Sequence, residues 1–160
     1  MSDGALQLFA CDLSVGQTFS GQERLIDDEA FLSFAKLTGD DHPIHYDDAY
    51  AARTRFGKRL AHGLLLMSMT AMGATPMSRQ LEESMVAFAE QKCRFRQPVF
   101  PGERVSSRFE VVSIDRKPGR EVALVRLKVE LVNRDGQVVL EGEHAYVLRW
   151  QRNGAPRDGA

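Results

Sequence analysis

The chain lacks the features that would place it outside ordinary globular proteins. Two cysteines, Cys11 and Cys93, in 160 residues exclude a disulfide scaffold, and a reducing cytoplasm is the expected compartment. Charge of neither sign dominates: 21 Lys plus Arg stand against 22 Asp plus Glu, a net charge of -1. The basic excess of a dedicated nucleic-acid binder is therefore missing, although a small anionic ligand needs only a local basic patch. The longest apolar run, Gly63 to Met77, is interrupted by Ser68 and Thr70 and falls short of the roughly 20 residues that span a bilayer. The opening MSDGALQLFACDLSVGQ has neither a basic nor a long apolar region, so no signal peptide is expected. Internal repeats and low-complexity blocks are absent too. What remains, 43% apolar and 27% charged residues, suits a single domain over residues 1–150 with one substantial core. Residues 151–160, QRNGAPRDGA, read as a mobile tail.

The two halves of the chain differ in pattern. Phe19 to Ile26 reads as a strand. Asp27 or Asp28 then caps a helix with Phe31, Phe34, Ala35 and Leu37 at helical spacing, ended by Gly39. Asp40 to Tyr46 is loop, because Pro43 turns His42 away from helical angles. Asp47 opens a short helix that ends at Gly57. His62 to Met77 reads as a helix apolar on nearly every side, hence buried. From Met85 the pattern becomes strands. Ala123, Val125, Leu127, Val129 and Leu131 share one apolar face, and Asp135-Gly136 marks a hairpin before a last strand, Val138 to Trp150. An antiparallel sheet curled around a buried helix, an α+β arrangement, accommodates all of this.

The loop Thr38-Gly-Asp-Asp-His-Pro-Ile-His-Tyr-Asp concentrates ionisable groups. A turn at Pro43 can bring Asp40 and His45 to one point, where a carboxylate and an imidazole can hold a water and pass its proton. Equally, Asp40 can cap the turn and His45 can satisfy loop backbone. A metal reading of His42, His45, His62 and the aspartates is disfavoured, since no His-Glu-x-x-His and no cysteine pairing is present. Gly63 opens the apolar helix, whose first N–H groups can donate to an anionic oxygen. It can also be a packing residue only, just as Ser68 can simply back-bond to its own helix.

Jointly these residues are more specific. The segment Phe34 to Met69 resembles the MaoC-like dehydratases, and within them the (R)-specific enoyl-CoA hydratases. The likeness rests on Asp40, Pro43-Ile44-His45, Asp47, Tyr50-Ala51, Phe56-Gly57, Ala61-His62-Gly63 and Ser68. A second segment, Arg94 to Glu103, also resembles the family, and the likeness covers about residues 17 to 149. His42 stands where these enzymes often have Asn, as a replacement loop hydrogen bond, as a modifier of Asp40 or as a restriction on the substrate range. The resemblance implies a hot-dog fold, a sheet wrapped around a long helix, paired as a homodimer. It implies that Asp40 and His45 activate water, that the Gly63 N–H sits in an oxyanion hole, and that Ser68 orients the catalytic groups. Pro43, His62, Lys58 and Arg59 would surround the substrate, with Lys58, Arg59, Arg94 and Arg96 near the phosphates of its carrier.

The implied reaction is reversible hydration of a trans-2-enoyl thioester of coenzyme A or acyl carrier protein. It calls for no cofactor and no metal, because the thioester carbonyl accepts electron density itself. A hot-dog thioesterase is the alternative enzyme, and a non-catalytic acyl-thioester-binding subunit the alternative from another class.

Overall fold

The computed structural model describes residues 5–152; most of the expected tail, residues 153–160, lies outside the described residues. In chain order the elements are β1 (Thr18–Ser20), β2 (Arg24–Ile26), α1 (Asp28–Thr38), α2 (Asp48–Ala52), α3 (Gly63–Ser68), α4 (Met77–Gln80), β3 (Met85–Phe95), β4 (Glu103–Arg116), β5 (Val122–Asn133) and β6 (Val138–Arg149). The six strands form one antiparallel sheet in the order β1-β4-β5-β6-β3, with β2 also paired to β4. Its inner face carries Ala123, Val125, Leu127, Val129 and Leu131, all buried. Against that face lie Leu65 and Leu66 of α3, and Met72, Met77 and Leu81 further along the helical segment. This is the hot-dog arrangement that the resemblance implies.

The expected strand Phe19 to Ile26 is divided. Gly21 donates its N–H to the Ser107 carbonyl (2.9 Å), and a β-carbon there would collide with the Ser107 hydroxyl. Both pieces pair with β4, but their registers differ by one residue. The helix expected from Asp47 to Gly57 ends at Ala52, where the Thr54 hydroxyl takes the Ala51 carbonyl (2.7 Å). The larger correction concerns His62 to Met77, which is not one helix. α3 stops at Ser68. The hydroxyls of Ser68 and Thr70 donate to the carbonyls of Leu65 and Met67 at 2.6 Å each, local bonds that compete with the helical ladder. Pro76, which cannot donate to that ladder, then precedes α4. Nor is the segment buried all round: Leu64 is 57% exposed. That face continues onto the edge strand β3, where Val86 (52%), Phe88 (55%) and Phe95 (51%) are also exposed.

His144 on β6 is 3% exposed and its proton positions follow from its neighbours. The Thr70 hydroxyl gives its proton to Met67, so its oxygen accepts the His144 Nε2–H (3.3 Å). Nδ1 then carries the lone pair and accepts the Tyr146 hydroxyl proton (3.1 Å). Burial pushes the imidazole down to about 4 and the Tyr146 phenol up to about 12. In the unfolded chain His144 binds a proton below about pH 6.5, which the folded chain refuses until about pH 4. The stabilisation is therefore complete above pH 6.5 and is lost as pH falls towards 4, by about 3 kcal/mol. Urea denaturation between pH 4.5 and 8 should show this slope, and His144→Gln should flatten it. An unchanged slope in the variant would place the acid sensitivity elsewhere.

Candidate active site

The aspartate and histidines converge because short-range signals hold the loop from both ends. Asp27 caps α1 by accepting the Ala30 N–H (3.0 Å), and Gly39 ends it in a left-handed conformation at φ 79°, one the other residues seldom adopt. Asp40 follows directly, its N–H on the Thr38 hydroxyl (3.2 Å). Pro43 starts a single 3-10 turn through His45, and its carbonyl accepts the N–H groups of Tyr46 (3.1 Å) and Asp47 (2.8 Å). Asp47 caps α2 through the Tyr50 N–H (2.9 Å). The His42 Nδ1 accepts the Ile44 N–H (3.2 Å), so His42 supplies a loop hydrogen bond, the first of its expected roles.

His45 reaches across the loop to the Leu60 carbonyl (2.7 Å). Since a carbonyl only accepts, Nδ1 carries the proton and the Nε2 lone pair is left for chemistry. His62, 1% exposed, lies stacked under His45, with centroids 3.8 Å apart and planes 27° apart. The Tyr46 oxygen lies 2.9 Å from the Phe31 carbonyl and 2.9 Å from the His62 Nε2. With its one proton on the Phe31 carbonyl, Tyr46 must accept from His62 Nε2–H. His62 Nδ1 is then a buried lone pair, and it has no hydrogen-bond partner. Burial pushes the His62 imidazole below its ordinary value, and His45 pushes the same way; Asp40 opposes both. Burial, with the Asp40 and Asp41 carboxylates, raises the Tyr46 phenol and keeps its proton in place.

Polar atoms of Asp40, His45 and His62 lie within 4.8 Å of one another. Imidazole lone pairs lie in the ring plane. Two rings stacked 3.8 Å apart direct them side by side, so one ion cannot lie in both planes at the roughly 2.0–2.1 Å a zinc–nitrogen bond requires. The cluster suits proton transfer better than metal ligation.

The remaining expected residues are placed as follows. Gly63 begins α3 beside the pair. The first helical bond is Leu66 N–H to the His62 carbonyl (3.1 Å), so the Gly63 N–H has no acceptor within the helix. A β-carbon at Gly63 would lie 2.9 Å from the tip of the Phe95 ring, which would have to shift. The Ser68 hydroxyl donates to Leu65, within its own helix, rather than to Asp40 or His45. Lys58 lies over the Phe100 ring, 4.1 Å from its centroid. Arg59 is held by two carboxylates, Asp28 and Asp48, at 2.8 Å each. It joins the starts of α1 and α2 and so secures the loop between them. Arg96 pairs with Glu141. Sequence reasoning did not single out Tyr46 or the Leu60 carbonyl. Tyr46 had a signal, a buriable phenol next to His45, but its partner is 16 positions away.

A hot-dog sheet with a carboxylate–imidazole pair at the start of its central helix defines a class of proteins, and comparison with known proteins narrows it. The model of the MaoC like domain matches residues 12–133, and the chain belongs to that family. It is 32% identical to the 3-hydroxybutyryl-CoA dehydratase of Methylorubrum extorquens over 85% of this chain and 81% of that protein. It is 30% identical to the (R)-specific enoyl-CoA hydratase of Aeromonas caviae over 84% of this chain and 94% of that one. The solved structure of the A. caviae (R)-hydratase superimposes with a TM-score of 0.68 at 28% identity, covering 87% of this chain and 98% of that chain.

Tyr46→Phe removes the acceptor for a buried N–H and should cost about 1–3 kcal/mol in urea denaturation at pH 7.5. A loss below about 0.5 kcal/mol would show that Tyr46 does not hold the His62 proton.

Proposed function

We propose that the protein catalyses reversible syn addition of water to trans-2-enoyl thioesters, giving (R)-3-hydroxyacyl thioesters. The observation that carries this reading is the convergence of the Asp40 carboxylate with a His45 imidazole whose Nδ1 is occupied by the Leu60 carbonyl. That leaves Nε2 and a carboxylate oxygen to hold one water. As its oxygen bonds to C3 of the enoyl group, one proton passes to the pair. The C2=C3 electrons move onto C2 and the thioester oxygen, and the Gly63 N–H at the start of α3 stabilises the charge developing there. The pair then returns a proton to C2 on the same face, which completes the addition. Dehydration runs the same steps in reverse. The thioester serves as the electron sink, so the reaction draws on no redox cofactor and no metal. His62, neutral and beneath His45, belongs to the support of the pair. The dehydratases and hydratases among its relatives support this assignment. Coenzyme A or acyl carrier protein would be the carrier, with Lys58 and Arg94 the cations offered to its phosphates, while Arg96 is engaged by Glu141.

Enoyl absorbance should fall with purified protein and crotonyl-CoA while a thiol reagent stays silent; thiol release at the same rate would make the protein a thioesterase instead. Asp40→Asn and His45→Gln should each lose roughly 10²–10⁴ in rate. The double variant should lose little more, because groups acting on one water are not additive. Near-full activity in both single variants would place the chemistry elsewhere.

The edge strand β3 and the exposed side of α3 present Leu64, Val86, Phe88 and Phe95 to solvent. An apolar patch along an unpaired strand edge calls for a partner, and the proposed partner is a second copy that continues the sheet. No helix among the described residues is long and apolar enough to cross a membrane. Light scattering at micromolar concentration should give twice the chain mass, and Val86→Lys should shift it towards the monomer; a monomeric wild type would refute the pairing.

A further inference from the structure

His62 holds a polar atom that no protein group uses. The residue is 1% exposed, and its Nδ1 is enclosed without a hydrogen-bond partner. Two oxygens fix the tautomer from the other side of the ring. The Tyr46 oxygen lies 2.9 Å from Nε2, and the Asp40 backbone carbonyl also accepts from the ring. Nε2 therefore carries the proton and Nδ1 an uncompensated lone pair. Proteins seldom leave a buried acceptor unpaired, and one kept beside reacting groups calls for a chemical reason.

We propose that this lone pair stabilises the imidazolium that forms on His45 when the attacking water gives up its proton. His62 is then a positioning residue that acts on the reaction through His45, beyond lending it a surface to stack on. The inference rests on the enoyl-thioester reading. In that step the water O–H bond breaks and its oxygen bonds to C3, while the C2=C3 electrons move onto C2 and the thioester oxygen. The proton goes to the His45 Nε2. His45 keeps its Nδ1–H on the Leu60 carbonyl and becomes a cation. Burial keeps His62 from taking the proton itself.

The stacking supplies the geometry. With centroids 3.8 Å apart and planes within 27° of parallel, a charge on His45 lies over the face of His62, well inside the roughly 6 Å at which a cation and a ring attract. Neutral imidazole is dipolar, positive at its N–H and negative at its bare nitrogen. The Tyr46 and Asp40 oxygens answer the positive pole, and no group answers the negative one. A cation on His45 does. The lone pair lies in the plane of its own ring and makes no hydrogen bond to His45, so it acts through its partial charge. Phe31 and Phe34, with centroids 5.4 and 4.8 Å from that of His62, give surroundings that screen this charge weakly. The acceptor is in place before the proton arrives, so charge formation requires no reorientation.

The test measures kcat and KM for crotonyl-CoA between pH 5.5 and 9 in the full-length protein and in His62→Gln. The glutamine nitrogen can still donate to Tyr46, but the lone pair beneath His45 is lost. kcat should fall about two- to thirtyfold, the range for a cation over a ring, with KM nearly unchanged. His45 must be unprotonated to accept from water, and the variant favours its imidazolium less. The acid limb of kcat/KM should therefore move to lower pH. The other titratable groups beside His45, namely Asp40, His42 and Tyr46, are the same in both proteins. A His45 merely displaced by a packing defect would lose rate with the limb in place, and that result overturns the proposal, as does a variant with wild-type kcat. Nitrogen-15 NMR of the wild type reads the ring directly, whether or not the variant folds: Nε2 of His62 should be protonated and Nδ1 bare, and a proton on Nδ1 overturns the proposal. Wild-type hydration of crotonyl-CoA separates the two levels. Without it the hydratase reading fails and takes this inference with it; with it, only the role of His62 is at stake.

Discussion

The Tyr46 hydroxyl has one proton, and the arrangement of the site depends on its giving that proton to the Phe31 carbonyl. That bond ties the loop to α1, and the lone pair that remains ties it to His62 at the threshold of α3. The tautomer of His62 follows, and with it a neutral ring on which His45 can stack. His45 is then held from two directions, by the Leu60 carbonyl in its own plane and by His62 beneath it. An imidazole proposed to activate water needs such support, since a small displacement of a reacting group costs orders of magnitude in rate.

The central helical segment is discontinuous, and its two parts border different regions of the molecule. Its first turn presents an unpaired N–H at Gly63 close to Asp40 and His45. Its break, made by the hydroxyls of Ser68 and Thr70, opens the space that one continuous helix would fill. Thr70 links the two regions, because the carbonyl it occupies belongs to the broken helix and the N–H it accepts belongs to His144. The buried polar groups of β6 and the end of α3 thus share one hydrogen-bond chain.

Much of the fold was legible because local chemistry decided it. The cap at Asp27, the left-handed stop at Gly39, the turn at Asp135-Gly136 and the alternation of β5 each follow from one or two residues and their neighbours. The motif from Asp40 to Gly63 was legible as a pattern of unrelated residue types at fixed spacing. The roles of Arg59 and Ser68 were not. Whether an arginine faces a phosphate or two aspartates depends on where Asp28 and Asp48 come to lie, and Ser68 could satisfy its hydroxyl within its own turn.

By itself, the sequence determined the antiparallel strands, the helix stops and the set of groups available for chemistry, because capping, alternation and turn formation act within a few residues. Only the tertiary structure decided which apolar faces stay uncovered, where the central helix ends and which nitrogen of each histidine carries the proton. Those depend on contacts between residues far apart in the chain: Tyr46 with His62, His45 with Leu60, Thr70 with His144. A hydrogen bond fixes a tautomer only once both partners are in place, and no spacing in the chain encodes the distance between them.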